Sequence, residues 1–162
     1  MLLRTTILGA AAALALAAAA ATPSLAASSP IGPLDLTQAA EAEMYKTAGC
    51  ACCGGWMAHA REHGLEAVVH DVDMGEMARI KAEAGITPEL ASCHTTLIDG
   101  YVVEGHVPAG DIARLLAERP DALGIAVPGM PAGSPGMGEA GAGTFDVLLV
   151  LRDGRTEVFA TH

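Results

Sequence analysis

Short apolar runs along the chain give way repeatedly to segments with a helical period. Glu43-Met44-Tyr45-Lys46 forms a strand candidate, a cysteine-bearing stretch follows, and Trp56 to His63 has helical character. Gly64 stands where a left-handed cap would stop that helix. Glu66 to Val72 reads as a second strand centred on Val68-Val69. Asp73-Met74-Gly75-Glu76 places a carboxylate at each end of a box resembling a helix cap. Met77, Ile80 and Ala84 then mark one helical face, and Gly85 stops it. Thr95 to Ile98 and Tyr101 to Val103, joined by Asp99-Gly100, form a hairpin, because that turn needs positive φ at both central residues. Pro108 opens a third helix, with Ile112, Leu115 and Leu116 as its buried face and Pro120 just past its end.

The order β-α-β-α-β-β-α predicts an α/β sheet in which helices join parallel strands and a hairpin with a last helix closes the unit. That is the connectivity of a thioredoxin-like domain. Two pieces extend it. Ala126 to Gly143 is rich in Gly, Pro and Ala and carries Met130 and Met137. It is too long and irregular for an ordinary connection, which makes it a functional or a mobile loop. Phe145 to Leu151 and Thr156 to Thr161, around Asp153-Gly154, form an additional C-terminal β-hairpin.

The first residues change the picture of where the domain works. Arg4, an apolar run from Ile7 to Ala21, and Thr22-Pro23-Ser24-Leu25-Ala26 read as a cleavable secretory signal peptide. The apolar run is shorter than the ~20 residues a membrane span needs. The expected organisation is a signal peptide over 1–26, a flexible polar segment over 27–40, and one domain over 41–162 in the periplasm. The net charge of −10 grows by one negative unit when residues 1–26, with Arg4, are removed. Such an acidic surface argues against nucleic acid as a partner, and against anionic membranes once the signal is gone.

Three of the four cysteines fall in Gly49-Cys50-Ala51-Cys52-Cys53-Gly54-Gly55-Trp56. In the expected topology this stretch joins the first strand to the first helix, where free N–H groups and the helix dipole favour thiolate over thiol. The fourth, Cys93, precedes His94 just before the third strand, in a loop that this topology brings beside the first three. Thiol oxidoreductases of this fold usually carry a cis-proline at that place. Here Ser92-Cys93-His94-Thr95 stands instead, with Pro88 upstream. Thiolates, imidazole and thioether make a soft donor set suited to Cu(I) and usable by Zn(II). Adjacent Cys52 and Cys53 are poorly placed to bond to each other. A Cys50–Cys53 disulfide is the alternative to metal in an oxidising compartment.

The runs CACCGGW, PELASCHT, YVVEGHVP, VPGMPAGSPGM and a closing FATH together resemble the CopG-type copper-resistance proteins. These are periplasmic, thioredoxin-like proteins long catalogued as a domain of unknown function. The resemblance spans Met44 to His162. It implies copper bound in a cysteine-bridged multinuclear cluster with Met and His completing the shell. The positions it implicates are Cys50, Cys52, Cys53, Cys93, His94, His106, Met130 and Met137. The expected function is to hold Cu(I) for copper resistance or homeostasis, with Cu(I)/Cu(II) interconversion and exchange with other periplasmic copper-handling proteins as further roles. A thiol–disulfide oxidoreductase using Cys50 and Cys53 is the alternative, and a zinc-stabilised domain a weaker one. His59 and His63, one helical turn apart, read mainly as surface residues. Met44, Met74 and Met77 read as packing residues, Trp56 as the residue that seats the first helix on the sheet, and His162 as a terminal residue outside the site.

Overall fold

A computed structural model describes Leu36 and residues 42–162. The signal-peptide reading of 1–26 lies outside the described residues. So does the segment 27–40, apart from Leu36, which is buried against the core.

The described chain forms a seven-stranded mixed sheet with three helices. In chain order these are β1 (Ala42–Thr47), α1 (Ala51–Glu62), β2 (Ala67–Val72), α2 (Met74–Glu83), β3 (His94–Ile98), β4 (Tyr101–Glu104), α3 (Ala109–Glu118), β5 (Gly124–Ala126), β6 (Asp146–Val150) and β7 (Thr156–Thr161). The strands lie in the order β2-β1-β3-β4-β5-β6-β7. β1 runs parallel to β2 and antiparallel to β3. The expected β-α-β-α-β-β-α order and the C-terminal hairpin are both present. β5 was not expected: three residues of it, Gly124-Ile125-Ala126, pair parallel to β4 and antiparallel to β6, and so join the hairpin to the sheet. The Met-bearing loop therefore begins at Val127.

The local signals behave as their chemistry dictates. The Asp73 carboxylate accepts from the Glu76 N–H at 2.9 Å, capping α2. Asp99 and Gly100 both take positive φ, 50° and 83°, in the β3–β4 turn. Alternation along the strands builds a core on each face. On one face Met44, Val103, Ile125 and Val147 meet Trp56, Met57 and Ala60 of α1 and Ile112 and Leu115 of α3. On the other, Val102, Ala126 and Val150 meet Ile86 and Leu90, which follow α2. Leu116 and Ala84, expected in buried faces, are only half-buried. β2 is an edge strand, which leaves Val68 and Val69 partly exposed.

Candidate metal centre

Helix α1 starts at Ala51, earlier than the helical pattern from Trp56 suggests, and Cys50 is its N-cap residue. Gly54 and Gly55 hide the start, since glycine is a poor helix former. Their presence has a steric reason. A Cβ on Gly55 would lie 2.9 Å from the Gly136 Cα, and one on Gly136, at φ +84°, would lie 2.6 Å from both the Cys52 carbonyl oxygen and the Trp56 nitrogen. The Gly/Pro loop is thereby seated on the first turn of α1, and the cysteines lie beneath it.

Cys93, directly before β3, faces that turn. Its Sγ lies 3.5 Å from Cys53 Sγ and 3.7 Å from Cys52 Sγ. Cys52 Sγ is in turn 3.5 Å from Cys50 Sγ. Cys50 and Cys53 are joined by a disulfide, and Cys52 and Cys93 are free. The four sulfurs lie within 4.8 Å of one another. Cys93, His94 and His106 form a second group within the same limit, so Cys93 is shared by both. His106 Nε2 stands 2.9 Å from Cys93 Sγ, and His94 Nδ1 stands 3.4 Å from it. His106, two residues beyond the end of β4, is buried and not a solvent-exposed loop histidine.

The surroundings set the protonation states. Burial pushes the Cys93 thiol up to about 12, with the Cys52 thiol beside it adding to the shift. Burial pushes His94 down to about 3, assisted by His106 and Lys81. His106 is also lowered by burial, opposed by its hydrogen bond to Pro135. Both imidazoles are thus neutral at neutral pH, the form that ligates metal. A bound cation would reverse the thiol's preference and release its proton. His94 Nε2 is buried without a hydrogen-bond partner. Soft sulfurs, neutral imidazoles and an unpartnered ring nitrogen together fit a thiophilic metal ion.

Trp56 behaves as expected: it is fully buried, its Nε1 donates to the Val107 carbonyl at 2.8 Å, and its ring lies 4.5 Å from that of His94. Met44 and Met77 are buried, whereas Met74 is exposed. On the loop, Met137 is half-buried beside Gly136, and Met130 is 54 % exposed. His59 is more than a surface residue. Its Nε2 accepts from the Ala109 N–H at 3.1 Å, satisfying one of the free donors at the start of α3. His162 Nε2 meets the Asp111 carboxylate at 2.7 Å.

The family described as a protein of unknown function, DUF411, matches residues 90–137, the stretch that holds Cys93, His94, His106, Met130 and Met137. Two solved structures of the copper resistance protein CopG, Form 2 and Form 1, are 40 % and 39 % identical to this chain, with TM-scores of 0.68 and 0.70. They cover 75 % and 77 % of it, and it covers 97 % and 98 % of them. The chain belongs to the CopG copper-resistance family. No curated protein sequence matches it. The family resemblance read from the cysteine, Ser-Cys-His-Thr and Gly-Met motifs is therefore correct.

Sequence reasoning missed the residues that hold these motifs in place. Glu104 was legible in principle, as a carboxylate ending an otherwise apolar strand. Lys81, Ser92 and Pro135 carried no such signal. No described helix is long and apolar enough to cross a membrane.

Proposed function

We propose that this protein is a periplasmic copper-binding protein that holds Cu(I) in a cysteine-bridged multinuclear cluster and serves copper resistance. The observation that carries this reading is the sharing of Cys93 between a group of four sulfurs and a group with two imidazoles. One tetrahedral ion needs four donors, and thiolates can bridge, so this set exceeds the needs of a single ion. In the reduced protein, with the Cys50–Cys53 bond opened, the ligands are Cys50, Cys52, Cys53, Cys93, His94 and His106, with Met130 and Met137 closing over them. The thiolates suit Cu(I) and zinc alike, and the thioethers favour Cu(I). Opening and closing of the Met loop accommodates the different geometries of Cu(I) and Cu(II), which supports interconversion of the two states.

The likeness to CopG structures supports copper as the metal. The strand order β2-β1-β3-β4, with a Cys-x-x-Cys pair opening α1, supports a thioredoxin-like origin for residues 41–162. Export by residues 1–26 supplies the location, and sequencing the N-terminus of periplasmic protein tests it. Metal analysis of that protein, with X-ray absorption to identify neighbours, tests the site. More than one copper per chain with sulfur neighbours is expected. A single equivalent, or only nitrogen and oxygen neighbours, overturns the cluster.

The Cys50–Cys53 disulfide favours one second reading, a thiol–disulfide oxidoreductase. Insulin reduction by metal-free protein separates the two: rapid turnover supports the enzyme, whereas copper retention without turnover supports the binding protein.

A further inference from the structure

Glu104, the last residue of β4, is fully buried. Its Oε1 accepts from the Ser92 N–H at 2.6 Å and from Lys81 Nζ, and its Oε2 accepts from the Thr95 hydroxyl at 2.7 Å. Lys81 Nζ also donates to Thr95 Oγ1 at 2.9 Å. The carboxylate therefore grips the residues on both sides of Cys93-His94. The same strand end controls the neighbouring segments. The Glu104 carbonyl accepts from the Val127 N–H at 3.0 Å, where the Met loop begins, and the Gly105 N–H donates to the His94 carbonyl at 3.0 Å. Ser92 Oγ donates to the Gly129 carbonyl, beside Met130.

A buried ion pair is a costly way to gain stability, since apolar residues of similar volume often do as well. Apolar residues cannot, however, accept hydrogen bonds from Ser92 and Thr95. We propose that Glu104, held by Lys81, is a positioning residue that fixes Cys93 and His94 against Cys53 and His106, so that the thiol–imidazole corner exists before any metal arrives. Its purpose rests on the proposed copper site, but the geometry is testable without copper.

In a Cys50→Ser/Cys52→Ser background, Cys53 and Cys93 are the remaining thiols of the chain's four, 3.5 Å apart in the native structure. Their dithiol–disulfide equilibrium in glutathione buffer measures the effective concentration at which the fold holds them. Glu104→Gln is expected to lower that concentration about tenfold, equivalent to ~1.4 kcal/mol. Thr95→Val, which leaves the ion pair intact, is expected to lower it by a smaller factor. Val150→Ala, a buried change on β6 in the core of the sheet face opposite the cysteines, is expected to leave it unchanged while reducing overall stability. A wild-type value in Glu104→Gln, or an equal fall in Val150→Ala, overturns the proposal. If Glu104→Gln does not fold, Lys81→Met/Glu104→Leu removes both charges together and is read against the same outcomes. Cu(I) competition against a chelator, with all four cysteines present, is run alongside. Failure of the wild-type protein to bind Cu(I) defeats the copper reading, and the thiol equilibrium still decides the role of Glu104.

Discussion

Cys93 Sγ lies 2.9 Å from His106 Nε2, while the opposite ring nitrogen of His106 meets the Pro135 carbonyl at 2.7 Å. A carbonyl can only accept, so Nδ1 carries the proton and Nε2 presents a lone pair to the thiol. A backbone oxygen on the Met loop thus selects the tautomer that can receive the Cys93 proton or bind metal.

The first prediction follows from this convergence. Cys53→Ser, Cys93→Ser and His106→Ala are each expected to remove most Cu(I) capacity, measured by competition against a chelator. His59→Ala is expected to retain it, because His59 caps α3 instead of facing the sulfurs. That variant is expected to lose ~1 kcal/mol of stability through the lost hydrogen bond. Equal copper losses in all four variants would place the site elsewhere.

The disulfide yields a second prediction. Oxidised metal-free protein is expected to expose two titratable thiols, Cys52 and Cys93, and to take up Cu(I) poorly until reduced. Full reduction exposes all four cysteines and restores uptake. Alkylation followed by mass spectrometry checks the count and the pairing. A Cys52–Cys93 bond in place of Cys50–Cys53, or no effect of reduction on uptake, would contradict it.

Sequence pattern carried the elements whose signals are local. The Asp73 cap, the Asp99-Gly100 turn and the α3 face around Ile112 and Leu115 are set by neighbours within a few residues. β5 escaped because three residues cannot display a period, and Gly124, tight against the Val102 carbonyl, reads as a loop residue in isolation. In the site, the cysteines and His94 were legible from their motifs. Their support was not. Whether Glu104 faces solvent or Ser92 depends on two turns of chain folding back, which no local window contains. His59 was misjudged for the same reason: its partner Ala109 lies fifty residues away.

A pH dependence follows from His94. Burial holds its folded-state pKa near 3, whereas in the unfolded chain it titrates near an ordinary histidine value of about 6.5. The unfolded state therefore binds more protons below that value, and the folded state loses stability as pH falls from about 6.5 toward 3. The slope from this residue is at most ~1.4 kcal/mol per pH unit. His59 and His106, also lowered by burial, act in the same direction. Thermal unfolding of metal-free protein across this range is expected to show the loss, and His94→Leu is expected to flatten it. An unchanged slope in His94→Leu would show that His94 is accessible to protons in the folded state.

The last prediction concerns the loop over the cysteines. Thioethers stay neutral at any physiological pH and prefer Cu(I) to Cu(II). Met130→Ala with Met137→Ala is therefore expected to weaken Cu(I) retention and ease its oxidation, with the fold unchanged. Gly136→Ala attacks the same loop through its backbone. The added Cβ would stand 2.6 Å from the Cys52 carbonyl oxygen and the Trp56 nitrogen, and the backbone around it cannot yield without lifting the loop from α1. Lifting it separates Pro135 from His106 and removes the hydrogen bond that selects the His106 tautomer. Gly136→Ala is thus expected to lower Cu(I) affinity even with both methionines present, and to accelerate amide exchange across Gly129–Gly143. Metal is expected to slow that exchange in the wild-type protein more than in the double methionine variant. If neither affinity nor exchange responds to these changes, the loop has no part in holding copper, and the methionines serve only to pack it.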